Sequence, residues 1–312
     1  MPLQEMDMKD KTLNSLYEFY APEDKQDFFI AYLYLKHTDR FVKNTLQFLG
    51  MPSAEGAVSP DPSLDDLLKN YVRQIAESAV DPKTNIYHGK VLNLDLARKI
   101  VTLNQGVRAR VPEKVVPFSI ARDVILDNPK AISVGRCPCR AVQPDPCIPP
   151  EEQVLCLIMG EPFASFIAAH NPAFRHCGQD EAVAILEKAH RRGDVHTAYF
   201  KKEMGRRMMA ICNCCSCCCM GMIMWNRLGG AVPYLAPSGY AAESGPDCTA
   251  CGSCQDGVCP FLAIGAHDDG KPKIDSKKCM GCGVCVDACP AGALKLARDP
   301  SRGDPLDIDA LR

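Results

Sequence analysis

The sequence predicts an α+β protein with a helical N-terminal region, a cysteine-rich mixed middle domain and a small C-terminal domain built on two cysteine ladders. Three observations support this fold class: apolar residues at helical spacing in the first eighty positions, mixed helix and strand signals after them, and nineteen cysteines that all follow residue 136. We place the domain boundaries at residues 1–84, 85–240 and 241–312. A chain of 312 residues is long enough for two or three domains with a normal core.

The N-terminal region is predicted to be helical. A proline near the start, early acidic residues and Gly50 as a stop indicate one long helix from Pro22 to Leu49. Apolar residues on one face indicate a second helix from about Leu64 to Val80, with Ser63 as its cap. Aromatic side chains at helical spacing are typical of core packing, so this region suggests no chemistry of its own.

The middle domain is predicted to mix strands and helices before its first cysteines. We expect a strand at Ile86 to Leu94, helices at Asp95 to Leu103 and at Phe118 to Leu126, a strand at Ala131 to Val134, and a later helix at Asp180 to Arg192. The second strand leads directly to Cys137. A rigid element would therefore position the loop that carries the first candidate metal ligands.

The C-terminal domain contains two ladders of cysteines three residues apart, each followed by a Cys-Pro pair. Three such thiolates surround one cuboidal iron-sulfur cluster, and the cysteine before the proline reaches the other cluster. We assign Cys248, Cys251, Cys254 and Cys289 to one cluster, and Cys279, Cys282, Cys285 and Cys259 to the other. Zinc ribbons and disulfides fit this spacing less well. The pattern predicts a module with two iron-sulfur clusters.

At these residues the module resembles the bacterial dicluster ferredoxins. The resemblance implies a bacterial-ferredoxin-like domain with two 4Fe-4S clusters and one-electron transfer. The first ladder departs from the family pattern, because the four residues from Gln255 to Val258 separate its third and fourth cysteines where the second ladder has three. We expect this insertion to bulge the loop without removing a ligand.

A second field of cysteines occupies the middle domain. Its ten candidate metal ligands are Cys137, Cys139, Cys147, Cys156, Cys212, Cys214, Cys215, Cys217, Cys218 and Cys219. A cuboidal cluster takes one protein ligand on each of four irons, so the run from Cys212 to Cys219 supplies one or two sites, with some thiols left over. An additional iron-sulfur cluster is the favoured interpretation. A zinc site, and redox-active or lipidated cysteines, are the alternatives.

The resemblance extends to the motifs GRCPCR, CIPPEEQVLC, RRGDVHTAYFK and AICNCCSCCC together with both ladders. Over about residues 91–306, this succession resembles a family of anaerobe 4Fe-4S dicluster ferredoxin-type proteins with an upstream cysteine-rich domain. The resemblance implies that the cysteine field and the ladders form one redox unit. It implies no substrate.

Composition and charge limit the possible partners. A net charge of −2 argues against nucleic acid or an anionic membrane as the main partner. The acidic start MPLQEMDMKD lacks a signal pattern, and no apolar run approaches a membrane span of about 18 residues. We therefore expect a reducing cytoplasm. The basic stretch at residues 187–207 is interpreted either as a solvated face or as a docking face for an acidic redox partner.

These patterns favour an iron-sulfur electron-transfer protein in which the middle centre is the entry or exit port. The alternative is a reductase or reductive activator whose middle-domain cluster acts on a substrate or a partner's cofactor, with Arg140 or His196 supplying charge or protons. A metal- or redox-sensing regulator is a third hypothesis. The sequence contains no recognisable nucleotide-binding glycine loop or hydrolytic triad, and it does not decide between carrier and enzyme.

Overall fold

The computed structural model describes residues 6–20, 24–56 and 61–311. Within these ranges, the N-terminal part forms four helices: α1 (Lys11–Tyr20), α2 (Lys25–Lys36), α3 (Thr38–Phe48) and α4 (Pro62–Ser78). The second predicted helix is confirmed as α4. Its cap is Asp61 rather than Ser63, because the Asp61 carboxylate accepts a hydrogen bond from the backbone N–H of Leu64.

The single long helix predicted from Pro22 to Leu49 is wrong. The chain breaks at His37, which has φ −129° and ψ 44° and separates α2 from α3. The hydroxyl of Thr38 donates to the carbonyl of Tyr34 at 2.8 Å. This bond satisfies a carbonyl that the interrupted helix leaves without its usual partner. Pro22, the predicted helix start, lies outside the described residues.

A large sheet forms the centre of the molecule. Among the described residues it contains nine strands: β1 (Tyr87–Leu92), β2 (Val107–Arg110), β3 (Asp123–Leu126), β4 (Ile132–Arg136), β5 (Val154–Met159), β6 (Phe174–Cys177), β7 (Val195–Lys201), β8 (Arg207–Cys214) and β9 (Leu235–Ala236). The order along the main path is β6-β4-β5-β8-β7-β1-β9, and β3 joins β2 to β8. The predicted strands at 86–94 and 131–134 are confirmed as β1 and β4.

The helix predicted from Phe118 to Leu126 is wrong, since its second half is strand β3. Burial alternates along this strand, with Val124 and Leu126 fully enclosed, and the strand pairs antiparallel with β2. Alternation of this kind is the period of a strand with one buried face. The segment is short enough that its apolar residues fit either period, and pairing with β2 decides the outcome.

Helices cover both faces of the sheet. After α4 come α5 (Leu94–Val101), α6 (Pro138–Ala141), α7 (Phe163–His170), α8 (Gln179–Arg191) and α9 (Met220–Arg227). The helices predicted at 95–103 and 180–192 are confirmed as α5 and α8, which share a core on one face. On the other face, α7 and the N-terminal helices pack over Cys156 and Ile158 of β5. Cysteines that point to this second face are therefore enclosed beneath the N-terminal region.

The C-terminal part forms smaller elements: β10 (Tyr240–Ser244), β11 (Ile264–Ala266), β12 (Pro272–Ile274), α10 (Val284–Asp287) and β13 (Leu294–Arg298). Strand β10 pairs antiparallel with β13, and β11 with β12. Beyond β13, Leu306 and Ile308 are buried in the core that contains α5. The C-terminal segment thus shares a core with the large sheet, and the three-domain division stays a prediction. No helix in the described ranges is long and apolar enough to cross a membrane.

Candidate iron-sulfur and thiolate sites

The structure gathers the first predicted ligand set around one cavity. Cys248, Cys251 and Cys254 line it from the first ladder, and Cys289 lines it from the second. Backbone N–H groups, that of Leu294 first, donate to the Cys289 sulfur and lower the pKa of that thiol. Donors aimed at a sulfur stabilise the thiolate form that a metal requires.

The second predicted set surrounds a separate cavity, lined by Cys259 and by Cys279, Cys282 and Cys285. The backbone N–H of Ala263 donates to the Cys259 sulfur at 3.4 Å, and that of Ala242 donates to the Cys279 sulfur at 3.4 Å. Burial raises the pKa of Cys285 to about 12. A metal would therefore replace protons that these enclosed thiols otherwise hold. The crossed arrangement predicted from the spacing matches these two cavities, while ligation itself stays a prediction.

Gly281 shows how closely the second ladder is packed. Its φ is +66°, and an added Cβ would lie 2.2 Å from the Ser238 hydroxyl oxygen and 2.2 Å from the carbonyl oxygen of Tyr240. Ala250 occupies the equivalent position of the first ladder with φ +53°, whereas Gly252, two residues further on, has φ +75° and open space around an added Cβ. The four-thiol donor sets and the tight backbone fit cuboidal clusters, which use one thiolate per iron.

The ten predicted ligands of the middle domain divide into two groups. The first, which we call the tetrathiol site, consists of Cys147, Cys215, Cys217 and Cys218, whose four sulfur atoms all lie within 4.8 Å of one another. The Cys147 and Cys215 sulfurs are 3.7 Å apart, as are those of Cys217 and Cys218. Hydrogen bonding by Cys218 and the positive charge of Arg140 lower the pKa of Cys215 to about 6. Burial raises the pKa of Cys217 to about 12, and the hydrogen bond with Cys215 raises the pKa of Cys218, so Cys215 is the member of the site whose pKa shift favours the thiolate.

The second group, which we call the buried thiol group, lines a cavity beneath the N-terminal helices. Its members are Cys137, Cys139, Cys156, Cys212, Cys214 and Cys219. Cys156 and Cys212 are register partners on β5 and β8, with sulfurs 3.9 Å apart. The thiols of Cys139 and Cys214 hydrogen-bond to the Cys219 sulfur and lower the pKa of Cys219. Consecutive residues Cys214 and Cys215 therefore belong to different groups, a division that spacing does not reveal.

Arg140 lies between the two groups and is 1 % exposed. Its guanidinium donates to the Cys137 sulfur at 3.8 Å, to the carbonyl of Asn213 at 2.9 Å and to the carboxylate of Asp194 at 2.7 Å. Asp194 is itself buried, so the ion pair needs its full set of hydrogen bonds. Sequence reasoning considered Arg140 only as a source of charge and did not single out Asp194 as its partner, although Asp194 lies within the motif RRGDVHTAYFK.

His196 and Cys177 lie outside both groups. His196 is fully buried on β7, with Nδ1 2.7 Å from the Asn213 side-chain oxygen and its ring stacked 5.2 Å from that of His190. Burial lowers its pKa to about 4. Cys177 lies on β6 and is partly exposed. His196 thus packs as a neutral ring in the core.

The basic stretch at residues 187–207 does not form a continuous basic face. Lys201 is 0 % exposed and Arg207 is 2 % exposed, because both belong to the central strands β7 and β8. Lys188 and Arg191 do reach the surface, next to Glu152 and Glu187 respectively. The prediction of one docking face over this stretch is therefore wrong for its buried members.

A groove of about 530 Å³ separates the tetrathiol site from the ferredoxin-like part. Cys147, Cys215 and Cys217 line one side of the groove. Gly257 and Val258, two of the four residues in the longer first-ladder loop, line the other side. The longer loop thus brings a segment of the first ladder to face the tetrathiol site.

Comparisons with known proteins match the second ladder to a described family. The 4Fe-4S binding domain family matches residues 272–295, which contain the second ladder. One subunit of the Na(+)-translocating ferredoxin:NAD(+) oxidoreductase complex of Acetobacterium woodii is 49% identical over 49 residues, 16% of this chain and 14% of its own. A candidate iron-sulfur subunit of a dimethyl sulfoxide reductase of Halobacterium salinarum is 35% identical over 117 residues, 31% of this chain and 44% of its own.

A third relative is a subunit of the F(420)H(2) dehydrogenase of Methanosarcina mazei, 29% identical over 82 residues, 26% of this chain and 45% of its own. The chain spans less than half the length of each of these relatives. No solved structure matches the chain.

Proposed function

We propose that this chain, which carries a 4Fe-4S binding domain near its C-terminus, is an electron-transfer protein with two 4Fe-4S clusters and a separate zinc centre. The observation that carries this proposal is the placement of the two predicted ligand sets around two separate cavities. The three relatives support it, since their names are those of subunits of redox complexes. The clusters would accept and release single electrons.

The residues of the chain hold and tune these centres. The backbone donors at Cys259 and Cys279 favour the thiolate form and offset part of the negative charge near the second cavity. Apolar packing around Phe261 and Met280, both buried, excludes water from the same region. Because each ligand set takes its fourth cysteine from the other ladder, the two cavities lie side by side.

Zinc is the metal we assign to the tetrathiol site. Tetrahedral zinc with Zn–S bonds of about 2.3 Å places its sulfurs about 3.8 Å apart, and two pairs of sulfurs in this site are 3.7 Å apart. In a cuboidal cluster the four irons lie between the thiolates, so the ligand sulfurs are further apart than they are around a single zinc ion. An iron-sulfur cluster, the interpretation favoured by the sequence, is the other outcome of the test.

The test compares metal content among variants purified without oxygen. Cys251→Ser with Cys282→Ser removes one ligand from each C-terminal set and should remove up to about eight irons per chain, with zinc retained. Cys217→Ser should remove the zinc alone. Cys177→Ser is the matched control, since that cysteine lies outside all four groups. Unchanged iron in the double variant would refute the two-cluster proposal, and iron loss in Cys217→Ser would refute the zinc assignment.

A redox protein is the partner that this function requires. Arg191 and Arg192 of the predicted docking stretch line the groove, and Lys188 lies one turn earlier on α8. Their acidic neighbours reduce the net positive charge of this surface, so we propose a partner contact that is only weakly dependent on salt.

A reductase or reductive activator is the second candidate, and the groove favours it. Two exposed thiols, Cys147 and Cys217, border a space large enough for a small substrate. A change in the visible spectrum of the reduced protein on adding a substrate, together with turnover, would support this candidate over a carrier.

A further inference from the structure

We propose that an exposed patch on the C-terminal part, formed by Leu262, Lys273, Lys277 and Lys278, is the docking surface for an acidic one-electron carrier protein. We call these four residues the lysine patch. The inference rests on the two clusters of the proposed function, and it names the second of the two partners, a donor and an acceptor, that an electron-transfer protein needs. One electron would pass between a C-terminal centre and the carrier, so one is oxidised as the other is reduced and no proton moves.

Strand β12 carries lysines directly outside the cavities of both C-terminal ligand sets. Side chains alternate between the two faces of a strand. Pro272 lines the cavity of the first ligand set and Ile274 lines the cavity of the second. Lys271, just before the strand, and Lys273 alternate with these two residues and are exposed. A single strand therefore separates the lysine side chains from both predicted ligand sets.

The turn after β12 brings two more lysines beside Leu262. The backbone N–H of Asp275 donates to the carbonyl of Ala263 at 2.8 Å, which places the turn next to Leu262. The Asp275 carboxylate accepts from the backbone N–H groups of Lys277 and Lys278 at 2.9 and 3.4 Å. Both of these lysines are exposed, so the aspartate orders the turn while the ammonium groups remain at the surface.

Leu262 is an exposed apolar side chain on a strained backbone. It is 66 % exposed and has φ +53°, a conformation that is unfavourable for any residue except glycine. Its neighbours Phe261 and Ala263 are buried and line the same cavity as Cys259. Glycine would relieve the strain, so the stability of the free chain gives no reason for a leucine here. Strain of this kind is typical of functional sites, and an apolar centre with a polar rim is typical of protein interfaces.

The charges of the patch select an acidic partner. Within the described ranges, the ammonium groups of Lys273, Lys277 and Lys278 form no ion pair with a carboxylate. Asp268 and Asp269, at the tip of the β11–β12 hairpin, and the aspartate of the turn offset part of the positive charge. The lysines therefore act mainly by direct contact and less by long-range steering. Carboxylates placed around an apolar centre on the partner would complement this surface.

The experiment measures the binding of a flavodoxin, an acidic one-electron carrier, to the full chain purified without oxygen. Both proteins are oxidised, and titration calorimetry at low salt gives the affinity. Lys273→Glu with Lys277→Glu should weaken binding about tenfold, and the rate at which the reduced chain reduces the flavodoxin should fall in parallel. Lys83→Glu with Lys130→Glu is the matched control, since it changes the net charge equally at exposed lysines of the large-sheet part.

Leu262→Gly separates docking from stability. It should weaken flavodoxin binding about fivefold, because the apolar centre of the contact is lost, without lowering the melting temperature, because the strain at this position is relieved. A lower melting temperature together with unchanged binding would show that Leu262 is a packing residue and would contradict the proposal.

Equal affinities of the lysine-patch variant and the control variant would overturn the inference. Binding of cytochrome c, a basic carrier, as tightly as flavodoxin would also overturn it, as would binding of the unmodified protein to phosphatidylglycerol vesicles in place of flavodoxin. Failure of the proposed function is distinct: the iron content would then be unchanged in the variant that lacks Cys251 and Cys282, whereas the calorimetric titration measures docking and no electron transfer.

Discussion

Lys201 offers a test of how the aromatic layer over the buried thiol group is stabilised. The side chain is 0 % exposed, and its ammonium lies 3.3 Å from the centre of the Tyr34 ring and 4.6 Å from that of Tyr71. Among the described residues, the ammonium nitrogen has no hydrogen-bond partner. Burial lowers the pKa of Lys201 from 10.5 to about 7, against the opposing attraction of Glu203 and Asp27. The charge is thus destabilising at neutral pH and below.

The sign and size of the effect follow from this pKa. Between pH 7 and 10.5 the unfolded chain holds a proton on Lys201 that the folded chain has lost, so stability rises with pH in this window. Full deprotonation would recover about 5 kcal/mol at about 1.4 kcal/mol per pKa unit. The aromatic rings favour the ammonium and reduce the gain. We expect the folded protein to gain about 2 kcal/mol between pH 6.5 and 9.5 relative to Lys201→Met.

The assay is thermal unfolding of unmodified protein and Lys201→Met at both pH values, with equal iron and zinc content. About 2 kcal/mol corresponds to a melting-temperature difference of about 3 °C for a chain of this size. Lys202→Met is the control, because Lys202 is only partly buried and pairs with Asp27 at 3.4 Å. If the difference in melting temperature between the unmodified protein and Lys201→Met stays constant or changes in the opposite direction as pH rises, the burial of a charged Lys201 is not destabilising and the prediction is wrong.

Three further outcomes test the sites and the core. Gly281→Ala should lower the free energy of unfolding by about 3 kcal/mol and also lower the iron content. Gly252 also has a positive φ but has open space around it, so Gly252→Ala should cost only about 1 kcal/mol. Equal iron contents in the two variants would contradict this prediction. Arg140→Met should lower the free energy of unfolding by about 2 kcal/mol, because buried Asp194 then keeps only its second guanidinium partner, Arg192; an unchanged melting temperature would count against a tight Arg140–Asp194 pair. Burial lowers the pKa of His88 to about 3, so stability should fall as pH drops below 6.5. Between pH 7 and 5 the unmodified protein should lose about 2 kcal/mol more of its unfolding free energy than His88→Phe loses. Parallel curves of stability against pH for the two proteins would refute this prediction.

The grouping of the eight C-terminal cysteines around two cavities was predictable, because chain spacing largely determines it. Three thiols on one tight loop have few ways to surround a cluster, and the Cys-Pro pair at the next loop is carried to the other cavity. Helix α8 was predictable for a similar reason, since its apolar face and following Gly193 are local signals. Local patterns decide such elements before any tertiary contact forms.

The sheet and the division of the middle cysteines depend on contacts distant in sequence. Strand β8 contains the start of the cysteine run and pairs with β5 about 55 positions earlier. Spacing could not show that Cys147 joins Cys215 while Cys156 joins Cys212, because the pairing register decides which sulfurs meet. The same register buries Lys201 and Arg207, which the charge pattern placed on a surface. The break at His37 likewise reflects how α2 and α3 pack, and no proline or glycine marks it.

The different depths of the two middle-domain groups set an order for maturation. Cys147 and Cys217 are exposed, so a metal at the tetrathiol site can exchange with solvent after folding is complete. The buried thiol group is closed by the helices that carry Tyr34 and Phe41, so a metal that bound there would have to enter before those helices dock. Since Cys214 and Cys215 are neighbours in the chain, the timing of helix docking, rather than sequence distance, would keep the two groups distinct during assembly.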